Sequence, residues 1–311
     1  MNINLLNDKN PHDKFFRRMM EKKETARDII RTYFPEELAK RMDLDTLAVS
    51  KDSFLDEENN ESESDILYEI ELEGRKVYLY LLFEHKSYND KYVALQLYKY
   101  MYNIWKLDIE QKKTDATGDL QLILPFVFYQ GSEDWKAGST LSKILQPISQ
   151  TMKAFIPDFE YLMLNLKTKP FDAIKGELDT RIMLKTMKIV FMEGVAVREK
   201  FTEILHLIKL RKQVAYTEES LELFRLCILY ILRTAKDMTR EDVSHTVDNE
   251  IPEWREEFMS IADTIEEKGV KKGIKRMIIN LYESGMAIQK IAEMAEISEE
   301  EVKEIISTHR K

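Results

Sequence analysis

Three ionisable side chains at one predicted β-hairpin form the strongest chemical pattern in the sequence. Asp65 opens the run DILYEIEL, and Glu84 and Lys86 close the apolar run VYLYLLFEHK, which follows the turn signal EGRK. Because a strand places residues i and i+2 on one face, Glu84 and Lys86 are expected to project together. Antiparallel pairing across the turn would bring Asp65 within a few residues of Glu84, at a register that the sequence leaves open.

This group of charges has two explanations. Burying two carboxylates and an ammonium group is costly unless a partner compensates for their lost hydration. A Mg²⁺ ion held by Asp65 and Glu84 would compensate, because it prefers oxygen ligands, and a metal-bound water steered by Lys86 would suit phosphodiester cleavage. An ion pair of the lysine with one carboxylate explains the same spacing, so spacing alone does not separate catalysis from structure.

Five motifs in order along the chain carry a resemblance to a known family. They are HDKFF (12–16), SDILY (64–68), YLLFEHKS (80–87), LQLYKYMYNIW (95–105) and LPFVFYQGSEDW (124–135). With them the sequence resembles the bacterial recombination-promoting nuclease (Rpn) family of the PD-(D/E)XK nuclease superfamily, whose members are also described as transposases. The resemblance is clear over about residues 10–170 and looser over the helical remainder.

The resemblance implies a fold, an activity and a set of site residues. The fold is an α/β (α+β) core of the PD-(D/E)XK type, a mixed sheet flanked by helices. Asp65 and Glu84 would be the metal carboxylates, Lys86 the catalytic lysine, and His85 a metal ligand through its backbone carbonyl. Gln96, on the following helix, would support the site. The implied activity is a Mg²⁺-dependent endonuclease that acts on double-stranded DNA, promoting recombination or cutting mobile or foreign DNA.

The sequence departs from the superfamily motif in one respect. Ser64 stands where the motif has proline, so the first half of the motif is degenerate. Glu69 and Glu71 have the same strand parity as Asp65 and are therefore alternative ligands.

Other polar residues carry weaker signals. His12 and Asp13 are adjacent, as in HD phosphohydrolases, but the other histidines lack the spacing that chemistry needs, so a role at a helix start is favoured. Cys227 lies in the apolar helical run LFRLCILYIL, which predicts a buried, inert thiol. The sequence has no Gly-rich phosphate loop of the nucleotide-binding type.

Hydrophobic periodicity predicts the elements that position these residues. An N-terminal helix is predicted over 12–34, a helix over about 91–107, and strands over 46–54, 65–72, 76–86 and 120–129. Later segments have helical periodicity: 181–213, 218–236, 252–283, 287–296 and 299–308. We therefore predict a nuclease-like domain over 1–170, a helical region over 171–267, and a basic linker with a helix-turn-helix-like unit over 268–311.

Length and composition favour a cytoplasmic, helix-rich protein. The chain has 311 residues, 33% of them charged, with only 9 Gly, 7 Pro and one Cys. It has no apolar run of the roughly 18 residues that a membrane helix needs and no apolar leader. We therefore expect no membrane partner.

Charge is distributed unevenly. The net charge of −9 disfavours a protein that simply coats nucleic acid. Residues 14–31 nevertheless contain seven basic groups and residues 268–276 contain five, whereas residues 43–73 contain twelve acids against Lys51 alone. Such a basic helix face or basic stretch is usually solvated, but either one could contact a phosphate backbone.

The C-terminal run MAIQKIAEMAEISEEEVKEII predicts two helices around a tight turn. Ser298 is the predicted N-cap of the second helix and Glu301 completes a capping box. Because that helix begins with Glu299, Glu300 and Glu301, it would repel phosphate at the end that normally reads DNA. A homodimer or other protein contact is therefore favoured for this unit.

Two alternatives to the nuclease stay open at this stage. One is a catalytically silent, DNA-associated regulatory protein whose helical tail binds partners. The other is a transposase with three carboxylates on an RNase-H-like fold, which needs a further acidic residue on a downstream helix and no catalytic lysine.

Overall fold

The computed structural model describes residues 10–50, 65–84, 91–111, 119–138, 140–145, 149–214 and 218–309. For residues 83, 84, 111 and 214 it describes the backbone alone. The chain divides into two compact units, Met1–Ile251 and Pro252–Lys311.

A five-stranded mixed sheet is the centre of the first unit. Its strands lie in chain order: β1 (Met42–Val49), β2 (Ile66–Leu72), β3 (Arg75–Glu84), β4 (Ile123–Tyr129) and β5 (Leu162–Asn165). The pairs β1–β2 and β2–β3 are antiparallel, whereas β3–β4 and β4–β5 are parallel. Glu73 and Gly74, both with positive φ, form the tight turn between β2 and β3, as the signal EGRK predicts.

Eleven α-helices are present in the described ranges. They are α1 (Pro11–Met20), α2 (Lys23–Tyr33), α3 (Glu36–Ala39), α4 (Val93–Gln111), α5 (Leu178–Ile189), α6 (Val195–Val214), α7 (Glu218–Thr234), α8 (Arg240–Glu250), α9 (Arg255–Glu283), α10 (Ile288–Ala295) and α11 (Glu299–His309). The predicted class, a mixed sheet flanked by helices and followed by a helical region, is confirmed. No helix in these ranges has both the length and the apolar character needed to cross a membrane.

Helices cover both faces of the sheet, which explains why β3 is apolar on both faces. On one face, Tyr78, Tyr80 and Leu82 of β3 pack in one cluster with Leu97 and Met101 of α4. On the other face, two pairs of aromatic rings join helices to β4, each with 4.8 Å between ring centroids: Phe16 with Phe128, and the α2 C-cap residue Phe34 with Phe126.

Several element boundaries differ from the sequence-based expectations. The predicted helix over 12–34 is two helices, because Lys22 adopts an extended conformation before α2. The segment 181–213 is also two helices, separated by a turn that ends at Gly194 with φ +70°. Neither β5 nor α8 was predicted, although a capping box of Thr239 and Asp242 marks the start of α8.

The compact units also differ from the predicted division at residues 170 and 267. Helices α5 and α7 belong to the first unit and are hydrogen-bonded to its N-terminal part. The hydroxyl of Tyr230 on α7 lies 2.7 Å from His12, and Asp28 of α2 accepts a hydrogen bond from the backbone amide of Glu177 at the start of α5. Whether residues 1–170 fold alone stays a prediction. Residues 268–276, named above as a basic linker, lie in the middle of α9, within the helix predicted over 252–283.

The second unit has its own small core. Ile278 of α9, Ile291 of α10, and Val302 and Ile306 of α11 are buried together. The predicted capping box at the start of α11 is confirmed: the amide of Glu301 donates to Ser298 Oγ at 3.2 Å, and the amide of Ser298 donates to Glu301 Oε2 at 3.0 Å.

Candidate active site

The start of β2 and the ends of β3 and β4 meet at one edge of the sheet, meaning here the edge formed by the strand ends and not by the outer strands β1 and β5. β3 and β4 are parallel, so both end there, and β2 begins there because it is antiparallel to β3. α4 connects β3 to β4, so it must run back across the sheet and its first turns lie near the same edge. Topology therefore brings Asp65, Glu84 and the start of α4 to one edge.

Asp65 immediately precedes β2 and is a buried carboxylate, only 7% exposed. The hydroxyl of Tyr80 donates a hydrogen bond of 2.8 Å to Asp65 Oδ2. The ring of Tyr80 packs against Tyr100 of α4, with 5.2 Å between their centroids. Sequence reasoning gave neither tyrosine a role, although Tyr80 shares the strand parity of Glu84.

The register of the hairpin fixes how Asp65 and Glu84 are related along the sheet. Ile66 pairs with Leu81, so one further step places Asp65 opposite Leu82. The backbone of Glu84, two residues beyond Leu82, pairs with Tyr129 of β4. Residue 84 is thus the diagonal neighbour of Asp65, a relationship that corresponds to about 7–8 Å between Cα atoms.

The alternative carboxylates Glu69 and Glu71 lie toward the other end of β2. Glu69 pairs with Tyr78 and Glu71 with Lys76, close to the hairpin turn. Glu69 forms an ion pair with Lys76 at 2.6 Å, and Glu71 is exposed. Of the three carboxylates of this parity, Asp65 is therefore the one at the edge where β3 ends.

The remaining predicted site residues are described only in part. His85, Lys86 and the side chain of Glu84 lie outside the described residues. Gln96 is half-buried on α4, one helical turn before Tyr100. Among the side chains that the structure does describe, no group of three His, Cys, Asp or Glu residues is arranged to hold a metal ion, so the complete ligand set stays a prediction.

Behind this edge, a buried hydrogen-bonded chain joins the end of β4 to three helices, α1, α5 and α7. Gln130 follows β4 and is 1% exposed; its Nε2 donates to the carbonyl of Met187 at 2.7 Å and to the hydroxyl of Tyr230 at 2.8 Å. The same hydroxyl lies 2.7 Å from Nδ1 of His12 in the first turn of α1, and burial raises the pKa of Tyr230. His12 therefore lies at a helix start, as predicted.

Cys227 lies fully inside the first unit. Burial raises the pKa of its thiol to about 12, and the hydroxyl of Thr186 donates to its Sγ at 3.6 Å. The prediction of a buried thiol is confirmed, and the raised pKa disfavours the reactive thiolate form.

The basic groups on α1 and α2 largely contact neighbouring parts of the protein. Arg17 pairs with Glu21 at 2.9 Å and Arg18 with Glu222 at 2.6 Å. On α2, Arg27 pairs with an aspartate of β1 at 2.8 Å. These three arginines are therefore engaged within the fold.

Comparison with known proteins places the chain in a family. Residues 10–217 match the family described as "Putative transposase, YhgA-like", and the chain belongs to that family. It is 25% identical over 258 residues to recombination-promoting nuclease RpnD of Escherichia coli O157:H7, an alignment that covers 82% of this chain and 94% of RpnD. It is 23% identical over 305 residues to recombination-promoting nuclease RpnA of E. coli K12, covering 94% of this chain and 96% of RpnA.

A shorter stretch is more similar to a third relative. Recombination-promoting nuclease RpnC of E. coli K12 is 34% identical over 122 residues, 39% of each chain. Other relatives have names that describe them as inactive. No solved structure matches the chain.

Proposed function

We propose that the protein is a Mg²⁺-dependent DNA endonuclease that promotes recombination or acts on mobile or foreign DNA. The observation that carries this proposal is the meeting of Asp65, at the start of β2, with the end of β3 at one edge of the sheet. The names of the relatives, recombination-promoting nucleases, support the same activity.

The residues at this edge suit a hard divalent cation. Asp65 supplies a carboxylate that Tyr80 holds in one orientation, and Glu84 would supply a second, with the backbone carbonyl of His85 as a third oxygen ligand. Such an ion, when bound, makes a water molecule more acidic and stabilises charge on the scissile phosphate. Buried carboxylates are costly without a compensating charge, so the burial of Asp65 is consistent with a cation at this place.

Lys86 and Gln96 would complete the site. In this proposal the ammonium group of Lys86 orients the attacking water and offsets charge on the phosphate. Gln96 would donate from the first turns of α4 toward the same edge. Both residues would hold the reactants in their reacting geometry, and this positioning would lower the activation free energy.

The first experiment is a nicking assay with supercoiled plasmid. Wild-type protein is expected to nick in Mg²⁺ and not in EDTA, and Glu84→Gln and Lys86→Ala should each abolish nicking. Glu69→Gln is the matched control, because it removes an equivalent charge from the neighbouring strand β2, nearer the hairpin turn. A Glu84→Gln protein that still nicks would contradict the proposed site.

The same assay separates the two alternatives. Wild-type protein that binds DNA and never nicks would indicate a silent protein, which the inactive relatives make a specific second candidate. A Lys86→Ala protein that retains full activity would instead favour the three-carboxylate transposase.

Thermal melting tests whether Glu84 and Lys86 belong to a metal site or only form an ion pair with each other. If Glu84 and Lys86 only pair with each other, removing either leaves a buried charge and costs about 3–5 kcal/mol. If they serve a metal, metal-free Glu84→Gln should be at least as stable as wild type, because repulsion from Asp65 is relieved. Mg²⁺ at 100 times its Kd should then stabilise wild type by about 2.7 kcal/mol and leave Glu84→Gln unchanged.

A further inference from the structure

The middle of α9 is largely exposed to solvent. From residue 263 to residue 277 no side chain is buried, and Val270 is 56% exposed. Gly269 and Gly273 have no neighbouring atom within 4 Å of the place where a Cβ would stand. A helix segment this open contributes little to a core, so its composition reflects some other requirement.

This segment, residues 268–276, is strongly basic on one side, and we call it the basic segment of α9. It contains five cationic residues and no acid: Lys268, Lys271, Lys272, Lys275 and Arg276. At about 100° per residue, the five side chains fall within an arc of about 140° that extends about 12 Å along the helix. Seen along the axis, the acidic residues just before it, Glu266 and Glu267, fall outside the arc.

Placing these like charges close together lowers the stability of the helix. Three pairs of like charges stand four residues apart: Lys268 with Lys272, Lys271 with Lys275, and Lys272 with Arg276. Such pairs destabilise a helix. Within the described part of the chain, Lys271, Lys272, Lys275 and Arg276 form no ion pair or side-chain hydrogen bond.

The arginines of α1 and α2 differ in this respect, because Arg17, Arg18 and Arg27 all have carboxylate partners within the protein. Their charges are already compensated. The charges of Lys271, Lys272, Lys275 and Arg276 are therefore available to a partner that carries many negative groups at close spacing.

We propose that the basic segment of α9 binds the phosphate backbone of duplex DNA without reading its sequence. This inference deepens the proposed function, on which the choice of DNA as the polyanion rests. Lysine ammonium groups contact phosphates as point charges and fix position rather than sequence.

The opposite side of the helix argues against a membrane surface as the partner. A helix that lies on a membrane needs an exposed apolar face along its length. On the side of α9 opposite the arc, Ile274 and Leu281 already pack against the small core of the second unit. Val270 and Met277 are exposed on that side, but with Ile274 and Leu281 packed inside the unit no continuous apolar face along the helix is left to insert into lipid.

The test measures binding of the full-length protein to a fluorescent 30-base-pair duplex in EDTA, over a range of salt concentrations. EDTA keeps the measurement independent of any metal-dependent cleavage. In the test variant Lys271, Lys272, Lys275 and Arg276 are all changed to Gln. In the control variant four scattered exposed lysines, Lys106, Lys153, Lys236 and Lys290, are changed to Gln, which alters the net charge equally.

Each phosphate contact contributes about −0.9 to the slope of log K against log salt. We expect the test variant to reduce the magnitude of that slope by about 2–4 and to weaken binding equally for unrelated sequences. The control should change the slope by less than about 1. A variant with Lys271, Lys272 and Lys275 changed to Arg should bind as wild type does, which separates charge from an altered helix.

Three results would overturn the proposal: wild type that does not bind the duplex at low salt, a test variant that matches the control, or a loss of binding to anionic lipid vesicles with no loss for DNA. Plasmid nicking by the same proteins is scored separately. If the proteins nick plasmid but the test variant leaves the salt slope unchanged, the proposed nuclease stands and the proposed DNA-binding surface is rejected. If the slope changes as expected but no protein nicks plasmid, the nuclease proposal alone is rejected.

Discussion

At the scale of single residues, the contact between Tyr80 and Asp65 is the most informative feature of the candidate site. A hydrogen bond to one oxygen restricts the orientation of a carboxylate, and partners of this kind tune metal sites. The tyrosine itself is held by the ring of Tyr100 on α4. In the proposed nuclease, Tyr80 would therefore be a positioning residue.

Changing Tyr80 to Phe removes that donor and keeps the ring. We expect the Mg²⁺ concentration for half-maximal nicking to rise about 10- to 100-fold, with a much smaller effect on the maximal rate. Tyr78→Phe is the matched control, because Tyr78 is a buried tyrosine of the same strand and face that pairs with Glu69 near the hairpin turn. Equal Mg²⁺ requirements for the two variants would refute the positioning role.

At the scale of secondary-structure elements, the most constrained contact is the one between α2 and the start of α5. Asp28 of α2 is buried, and its Oδ2 accepts the backbone amide of Glu177 at 2.6 Å. Gly176, just before that amide, has φ +120°, and a Cβ there would stand 2.6 Å from the same oxygen. Only glycine fits, because both the backbone conformation and the space exclude a side chain.

Gly176→Ala should therefore be more damaging than an alanine at an open glycine. Left-handed strain costs about 1–2 kcal/mol, and the clash with Asp28 adds about 1–3 kcal/mol. Gly194→Ala is the control, since Gly194 has φ +70° but no atom within 4 Å of a new Cβ, and it should lose only the strain term. Urea unfolding measures both changes, and equal losses would show that the contact with Asp28 does not matter.

Elements with strong local signals could be predicted from the sequence, and elements defined by distant contacts could not. The hairpin, α4, β4 and the capping box of α11 follow from alternation, periodicity and turn residues. The four-residue strand β5 has too few residues to show a pattern and exists because it pairs with β4. The break at Lys22 likewise has no local breaker residue.

The candidate site follows the same division. Asp65 could be predicted as a buried carboxylate because it opens an apolar strand. Its hydrogen bond from Tyr80 could not, because the bond depends on a register that the hairpin sequence does not specify. Gln130 was also missed, since its partners Met187 and Tyr230 lie on α5 and α7.

At the scale of the whole molecule, the uneven distribution of charge should govern how the protein meets DNA. Residues 43–73 carry a net charge of −11 from twelve acids and one lysine, and Asp65 lies in this range. Repulsion between these carboxylates and phosphate weakens binding unless a cation intervenes.

For a Lys86→Ala protein, which should not cleave, we therefore expect higher affinity for duplex DNA in Mg²⁺ than in EDTA at matched ionic strength. Fluorescence anisotropy measures both affinities. Adding Glu84→Gln to this protein should remove most of the difference. Equal affinities of Lys86→Ala protein in the two buffers would count against a cation at the site.

The second unit is expected to act in self-association, through a homodimer, rather than in the cutting step. Its last helix begins with three acids, which would repel phosphate, whereas its apolar residues Val302, Ile305 and Ile306 pack into the unit's own core. A deletion from residue 252 removes this unit without cutting α9 in two. We expect a lower mass by light scattering, weaker DNA binding, and an unchanged single-turnover rate at saturating DNA. Unchanged mass together with lost cleavage would reverse this assignment.

The two outer strands of the sheet bear on how the protein avoids aggregation. Unpaired strand edges are templates for pairing with other chains, and natural sheets blunt them with charges, bulges or short strands. At one edge, β5 has four residues. At the other, β1 has an irregular register between Asp43 and Ala48, and two cations of α2 occupy its carbonyls: Lys23 donates to Asp45 O at 2.7 Å and Arg27 to Leu44 O at 2.5 Å. The same side chains that join α2 to the sheet thus also occupy hydrogen-bond acceptors that this edge would otherwise offer to the strand of a second chain.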